Sequence, residues 1–348
     1  MALRLRHISI AFAAACAATA AGAQSPETFY AGRQVPLVIS FAPGGLNDLA
    51  GRATARHLGR FIPGNPTIVP QNMPGAGGLA AANYLFNVAA HDGSVIGQLD
   101  RSVAQNAIRG ASTARFDPLK FTWIGSLSSY GNDAYLLLVR ANHEARNAGD
   151  LLGDTTIKTR LGAVSGGSNM FISLIAKSVL GLKVDVITGY PGGKGIWIAL
   201  QNGELDGQAM SLSSVKAEQP AMWRDKQVRP LVQFGRETRL AELADVPTAR
   251  ELAGDDPAKR ALIDFAELPF RASLPYVAPP GVPEDRAAAL RKAFMAMARD
   301  PAFIEDANKL SIELSPISGE DIVALLQRSS SIPPDLIARY NAIVEPKN

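Results

Sequence analysis

The sequence predicts an α/β protein of two lobes, each a mostly parallel β-sheet flanked by helices, with two crossover strands joining them. Three observations predict it. A short apolar run, a glycine-rich turn and an amphipathic stretch recur in that order, as parallel strands covered on both faces require. The pattern occurs in both halves, on either side of a continuous apolar run at 135–140. With 348 residues, the chain also exceeds what a single hydrophobic core ordinarily serves.

The first 23 positions read as a leader. Arg4, Arg6 and His7 precede an apolar run over 8–21, and Ala21-Gly22-Ala23 supplies a small-x-small cleavage pattern. Cleavage is expected after Ala23, leaving Gln24 as the new terminus. The alternative of a retained anchor requires a longer apolar run. A lipid on Cys16 requires a lipobox, in which Ala13 stands where Leu is usual. Loss of Arg4 and Arg6 lowers the formal charge from +3 to +1. The remaining Lys and Arg are scattered, which argues against nucleic acid as a partner. Cys16 is the only cysteine, so disulfides and thiolate metal sites are excluded. No later segment is long and apolar enough to cross a membrane.

The first unit is a strand over 35–42, the turn Pro43-Gly44-Gly45 and a helix over 47–61. Leu49, Ala53, Leu58 and Phe61 share one face of that helix, and Arg52, Arg56 and Arg60 mark the other. Asn47 or Asp48 is the expected N-cap and Pro63-Gly64 the stop. Next come a strand over 67–70, a turn over 74–78, a helix over 79–90 and a strand over 95–99. The second half has a strand over 160–164, the turn Ser165-Gly166-Gly167-Ser168, and a helix over 169–180 that Gly181 ends. A strand over 184–187, the turn Tyr190-Pro191-Gly192-Gly193, a helix to Asn202-Gly203 and a strand over 205–211 follow. Segments 135–140 and 272–277 are the expected crossover strands. Residues 254–257 read as a polar surface loop, and helices over 285–299 and 319–328 finish the chain.

Those turns have a chemistry. A helix start carries unpaired N–H groups and a partial positive charge, and glycine just before it lets an anion approach the backbone. Glycine-led helix starts in both halves therefore predict a carboxylate held between lobes, at the carboxyl ends of the strands. The alternative for each turn is a tight connection with no ligand. Catalytic patterns are thin. No serine sits in Gly-x-Ser-x-Gly. His57, His91 and His143 are isolated, so no metal site is expected. Gly193-Lys194 lacks the earlier glycine of a phosphate loop, and Gly75-x-Gly77-x-x-Ala80 is a poor dinucleotide fingerprint; no cofactor is expected. Asp48 reads as a helix cap that can also meet a ligand, Asp206 as a turn residue or cleft liner, and Asp133 as a surface charge. Trp123 and Trp197 read as core, while Tyr130, Tyr135 and Tyr190 are candidates for a pocket wall.

Taken in order, several motifs resemble those of the tripartite tricarboxylate transporter receptors, the Bug or TctC-type periplasmic binding proteins. They are Phe41-Ala42-Pro43-Gly44-Gly45 with Asp48 and Arg52, and Asn72-Met73-Pro74-Gly75-Ala76-Gly77-Gly78, followed by Asp92-Gly93. Ser165-Gly166-Gly167-Ser168, Tyr190-Pro191-Gly192-Gly193 and Gly203-Glu204-Leu205-Asp206 continue the series. Asp245-Val246-Pro247-Thr248 with Glu251, and Ala278-Pro279-Pro280-Gly281-Val282-Pro283, complete it over about 35–325.

The resemblance implies a type II-like periplasmic binding protein fold that closes on its solute. It implies lobes of 24–130 plus 255–348 and 131–254, a monomer, and delivery of a small carboxylated solute to inner-membrane transporter subunits. It assigns ligand contacts to Pro43, Gly44, Gly45, Asn47 and Asp48, and from the other lobe to Ser165, Gly166, Gly167, Ser168, Asn169, Tyr190, Gly192, Gly193 and Asp206. Gln71, where relatives often carry an acid, and Met170-Phe171, where many carry a histidine, depart from the pattern and suggest a less polar wall. The competing readings are a ligand sensor for a membrane signalling protein and a periplasmic hydrolase or isomerase. The enzyme needs a base beside Ser168 that the sequence does not display.

Overall fold

Residues 24–329 and 331–345 are described by the structure, a computed structural model. The expected leader, Cys16 and the cleavage point fall outside them. The chain first lays down β1 (Gln34–Ile39), β2 (Thr67–Asn72), β3 (Ile96–Gln98) and β4 (Thr122–Ser126). It then builds a second sheet from β5 (Tyr135–Arg140), β6 (Arg160–Gly162), β7 (Asp185–Ile187), β8 (Gly207–Ser211) and β9 (Val228–Phe234). It returns to the first sheet as β10 (Pro275–Ala278) and β11 (Ile317–Ser318). The sheets order as β11-β4-β10-β3-β1-β2 and β7-β6-β8-β5-β9.

Both sheets are mixed rather than mostly parallel. The strand–helix–strand units pair in parallel, β1 with β2 and β3, and β6 with β7 and β8. β5 enters the second sheet from the first, and β10 re-enters the first from the second. Each therefore runs against its neighbours, β5 between β8 and β9 and β10 between β3 and β4.

The same topology corrects the expected crossovers. Segments 135–140 and 272–277 are not the links, because β5 and β10 lie inside sheets with a strand on each side. The links are the residues that lead into those strands, 127–134 and 268–274, the second sharing only 272–274 with the expected segment, and they run side by side. Leu127 donates to the Leu274 carbonyl at 3.1 Å and Ser273 to the Ser128 carbonyl at 2.8 Å. A third passage joins the helix Gly319–Ser329 to the helix Pro334–Val344. That last helix and Pro257–Glu267 pack on the second sheet, where Leu262, Phe265, Tyr340 and Val344 share a core with Leu137, Val139 and Phe234. The first sheet has its own cores, one holding Leu37, Ile39, Leu58 and Phe294, another Val38, Leu85 and Trp123. Trp123 and Trp197 are buried, as expected of core residues.

Local signals mostly hold, with shifts at the ends. The first long helix is Leu46–Leu58, capped by the Gly45 backbone, so Asn47 and Asp48 lie in its first turn instead of at the cap. Gly181, at φ +79, turns the chain just past Ser168–Ser178, and the Leu182 N–H reaches back to the Ala176 carbonyl at 3.0 Å. Residues 254–257 are more than a loop: the Asp256 side chain caps Pro257–Glu267 through the N–H groups of Ala258 and Lys259.

Gly207 is where β8 meets β5 most closely. A Cβ there would lie 2.2 Å from the Leu138 carbonyl oxygen, and neither central strand has room to yield. Gly207→Ala should therefore destabilise the protein by about 1–3 kcal/mol, measured by thermal or urea unfolding. Unchanged stability would mean that the strands are not in this register.

Candidate functional site

The carboxyl ends of the parallel strands in both sheets open toward one crevice. Gly77 follows β2 and Gly166 follows β6, and the Gly166 carbonyl oxygen lies 3.1 Å from where a Cβ on Gly77 would sit. Ala217, on the second lobe's helix Leu212–Glu218, packs against the first lobe's core, which includes Leu46 and Phe41. The crevice is thus bounded by turns from both lobes.

The first-lobe turn is held by one carboxylate. Asp48 is 2% exposed. Its Oδ2 accepts from the Gly44 N–H and the Arg52 Nε, both at 2.9 Å, and its Oδ1 from the Asn72 Nδ2 at 2.7 Å. Asn72 also accepts from the Arg52 Nη2 at 2.8 Å and donates to the Phe41 carbonyl at 3.0 Å. Burial pushes the Asp48 carboxyl up, but the bonds from Arg52, Asn72 and Gly44 outweigh it and hold the group below the usual carboxylate range. The Asp48 side chain faces inward as a brace. Pro43, Gly44 and Gly45 are left exposed, ahead of a helix start whose first N–H groups have no acceptor in the helix. The Asn47 carbonyl is occupied by Gln98 Nε2 at 2.9 Å.

The second-lobe turn is built similarly. Gly166 takes φ +73 and Gly167 caps Ser168–Ser178 with its backbone. Asn169 Oδ1 accepts from the N–H groups of Val164 and Met170 at 3.2 and 2.9 Å, holding the turn as Asp48 holds the other. The Ser168 Oγ is buried with no hydrogen-bond partner. Nearby, Gly192 caps Gly193–Gln201, and half-buried Tyr190 stands before it. Glu218, which sequence reasoning missed, joins this group. Its Oε2 accepts from Trp197 Nε1 at 3.1 Å and lies 3.5 Å from where a Gly193 Cβ would be. Burial of that carboxyl raises its pKa, partly offset by the Trp197 bond.

Asp206 is not brought to this rim. It precedes β8, and its carboxylate is bound by Arg160 and Arg140 at the amino end of the sheet. β6 and its following residues separate that end from Ser165 by about 16 Å at strand rise. Burial opposes ionisation of Asp206, yet the Arg160 and Arg140 bonds keep its pKa lowered.

Two further groups carried no sequence signal. Asp133, read as a surface charge, is 2% exposed in the crossover segment, where it accepts from the Ala134 N–H at 2.8 Å and the Ser213 Oγ at 2.5 Å. Burial pushes its pKa up to about 6, with the Ser213 bond pulling the other way. Arg101, just beyond β3, reaches the Tyr130 hydroxyl at 2.6 Å. Among the described residues no group of three or more His, Cys, Asp or Glu is placed to hold a metal, and no helix is long and apolar enough to cross a membrane.

No family model matches the chain. It is 25% identical over 315 residues to a UPF0065 protein of Bordetella pertussis, spanning 88% of this chain and 89% of the relative. A UPF0065 protein from the gbd 5′ region of Cupriavidus necator is 29% identical over 259 residues, or 72% and 75% of the two chains. Among solved structures, the periplasmic binding protein BugD aligns with a TM-score of 0.65 at 19% identity, covering 89% of this chain and 97% of that one. A TctC solute-binding protein from Polaromonas gives 0.63 at 18%, covering 88% and 98%. MatC from Rhodopseudomonas palustris with bound malate gives 0.62 at 21%, covering 90% and 99%. The structural neighbours are thus TctC- and Bug-type periplasmic binding proteins, the two-lobed fold is theirs, and the UPF0065 relatives support the family that the motifs indicated.

Two outcomes follow from this geometry. Asp48→Ala leaves Arg52, Asn72 and the Gly44 N–H without their acceptor, and should lower stability by about 2–4 kcal/mol in denaturant melts; a loss below about 0.5 kcal/mol would show that the brace is idle. For Asp133 the folded pKa is the higher one. Its contribution is therefore complete below the ordinary value of 3.8 and is lost as pH rises through about 6, on the order of 3 kcal/mol in all. Asp133→Asn should accordingly gain stability relative to the parent between pH 4 and pH 7; melts showing a constant difference across that range would contradict it.

Proposed function

We propose that this chain is an exported, periplasmic receptor that closes two lobes around a small carboxylated solute and delivers it to the membrane subunits of a tripartite tricarboxylate-type transporter. One observation carries the reading: glycine-led helix starts from two separate sheets border a single crevice, with Gly77 and Gly166 meeting across it. Exposed helix-start N–H groups in a partly dry crevice favour a carboxylate over a neutral group. The malate-bound MatC neighbour, a protein of this fold holding a carboxylic acid, supports the solute class. The BugD and TctC neighbours support the periplasmic setting.

We assign the solute's carboxylate to the backbone N–H groups of Gly45 and Asn47 on one side and of Ser168 and Asn169 on the other, with Gly44 and Gly167, whose own N–H groups go to Asp48 and the Val164 carbonyl, leaving room for its approach. Gly192, Gly193 and Tyr190 border the same space. Asp48 acts through the loop it braces. A binding role also fits Ser168, whose Oγ has no hydrogen-bond partner and hence no base to activate it.

Calorimetry and thermal shift against mono-, di- and tricarboxylates should find one equivalent bound and a raised melting temperature. A Cβ on Gly45 meets nothing within 4 Å, and its backbone is extended, so Gly45→Ala should fold as the parent does. The added methyl crowds the helix-start N–H groups, and affinity should fall about 10- to 100-fold. No heat and no shift across the panel would end the receptor reading.

A further inference from the structure

We propose that Arg101 receives a second acidic group of the solute, making the receptor selective for dicarboxylates over monocarboxylates. This rests on the carboxylate-receptor reading above and names the solute class within it.

Arg101 leaves the carboxyl end of β3, the strand beside β1. Its loop therefore starts about 5 Å from the one carrying Gly44 and Gly45. The side chain crosses from the first lobe toward the second. Its guanidinium carbon lies 5.5, 5.5 and 5.4 Å from the ring centroids of Tyr130, Tyr135 and Phe270. Tyr135 begins β5 on the crevice side of the second sheet, beside Ser211 and Phe234. The loops form one rim, because a Cβ on Gly78 would meet Asp100 at 2.8 Å while its neighbour Gly77 approaches Gly166.

Among the described residues Arg101 forms no ion pair: no carboxylate oxygen lies within 4.0 Å of it, and its one hydrogen bond goes to the Tyr130 phenol. Neighbouring Asp100 spends its Oδ1 on the Ser102 N–H and hydroxyl. A guanidinium offers five N–H donors in a fork matched to a carboxylate, so four have no acceptor among the described residues. The side chain still keeps accessible surface. Burying such a charge without a partner is costly; three rings lower that cost by cation–π contact but accept no hydrogen bonds. A carboxylate arriving in the crevice supplies what is missing.

The test is calorimetry on the full exported chain with succinate and adipate against butyrate and hexanoate, then on Arg101→Met and Arg101→Lys. The parent should prefer each diacid over its matched monoacid by about 30- to 100-fold. Arg101→Met should bring that ratio close to one, and Arg101→Lys should restore part of it. Parent binding of monoacids and diacids alike overturns this proposal and leaves the receptor reading standing; no carboxylate binding at all overturns both. A preserved ratio in folded Arg101→Met also overturns it. Should that variant not fold, the parent's own ratio and Arg101→Lys still decide.

Discussion

One buried carboxylate sets the geometry on which the crevice depends. Asp48 ties the Gly44 N–H, Arg52 and Asn72 together, and through Asn72 it fixes the Phe41 carbonyl as well. Segment 41–45 is therefore shaped by the protein itself. A loop ordered in advance spares a ligand the entropy of ordering it. Glycine at 44 and 45 is useful only because the backbone is already aimed, and Asp48 aims it. Asn169 performs the same service for the opposite turn with neutral groups, so the brace is stronger in the first lobe.

Between the lobes the chain passes three times, and the first passage is unusually constrained. Tyr130 sits there at φ +59, a conformation that a bulky side chain adopts at a cost. What holds it is a set of anchors. Arg236 donates to the carbonyls of Tyr130, Gly131 and Asp133. Glu313 and Ser315 take N–H groups at 129, 131 and 132. These anchors come from the second lobe and from the returning chain, so the hinge is a stiff joint with Asp133 buried inside it.

Much of the fold was legible because its signals are local. A glycine before a helix, a cap such as Asp256 and a stop such as Gly181 act within a few residues, so sequence displays them. The turns at 43–45, 165–168 and 190–193 were found this way and do flank helix starts. What was not legible depends on sheet order. The return of β10 between β3 and β4 pairs Tyr276 with Gln98 and Gly125, far away along the chain, and no periodicity encodes it. The antiparallel partners of β5 and the docking of Pro334–Val344 on the second core are of the same kind. Asp133 looked like a surface charge because it is flanked by Asn132 and Ala134; only the fold brings Ser213 over it.

Asp206 and Arg101 show what separates a motif from a site. A strand has two ends, and in a parallel sheet only the carboxyl end gathers loops and helix starts around a crevice. Asp206 stands at the entry to β8, so the order of motifs along the chain could include it while geometry assigns it to the far edge, neutralised by Arg160 and Arg140. Arg101 stands three residues past the end of β3, in a stretch without glycine or motif, and nothing in its neighbours marks it. Its cage is assembled from residues 130, 135 and 270, brought together only when both crossover segments lie side by side. The charge that faces the crevice was therefore hidden from any reading along the chain, while the charge that the motifs advertised holds strand ends together.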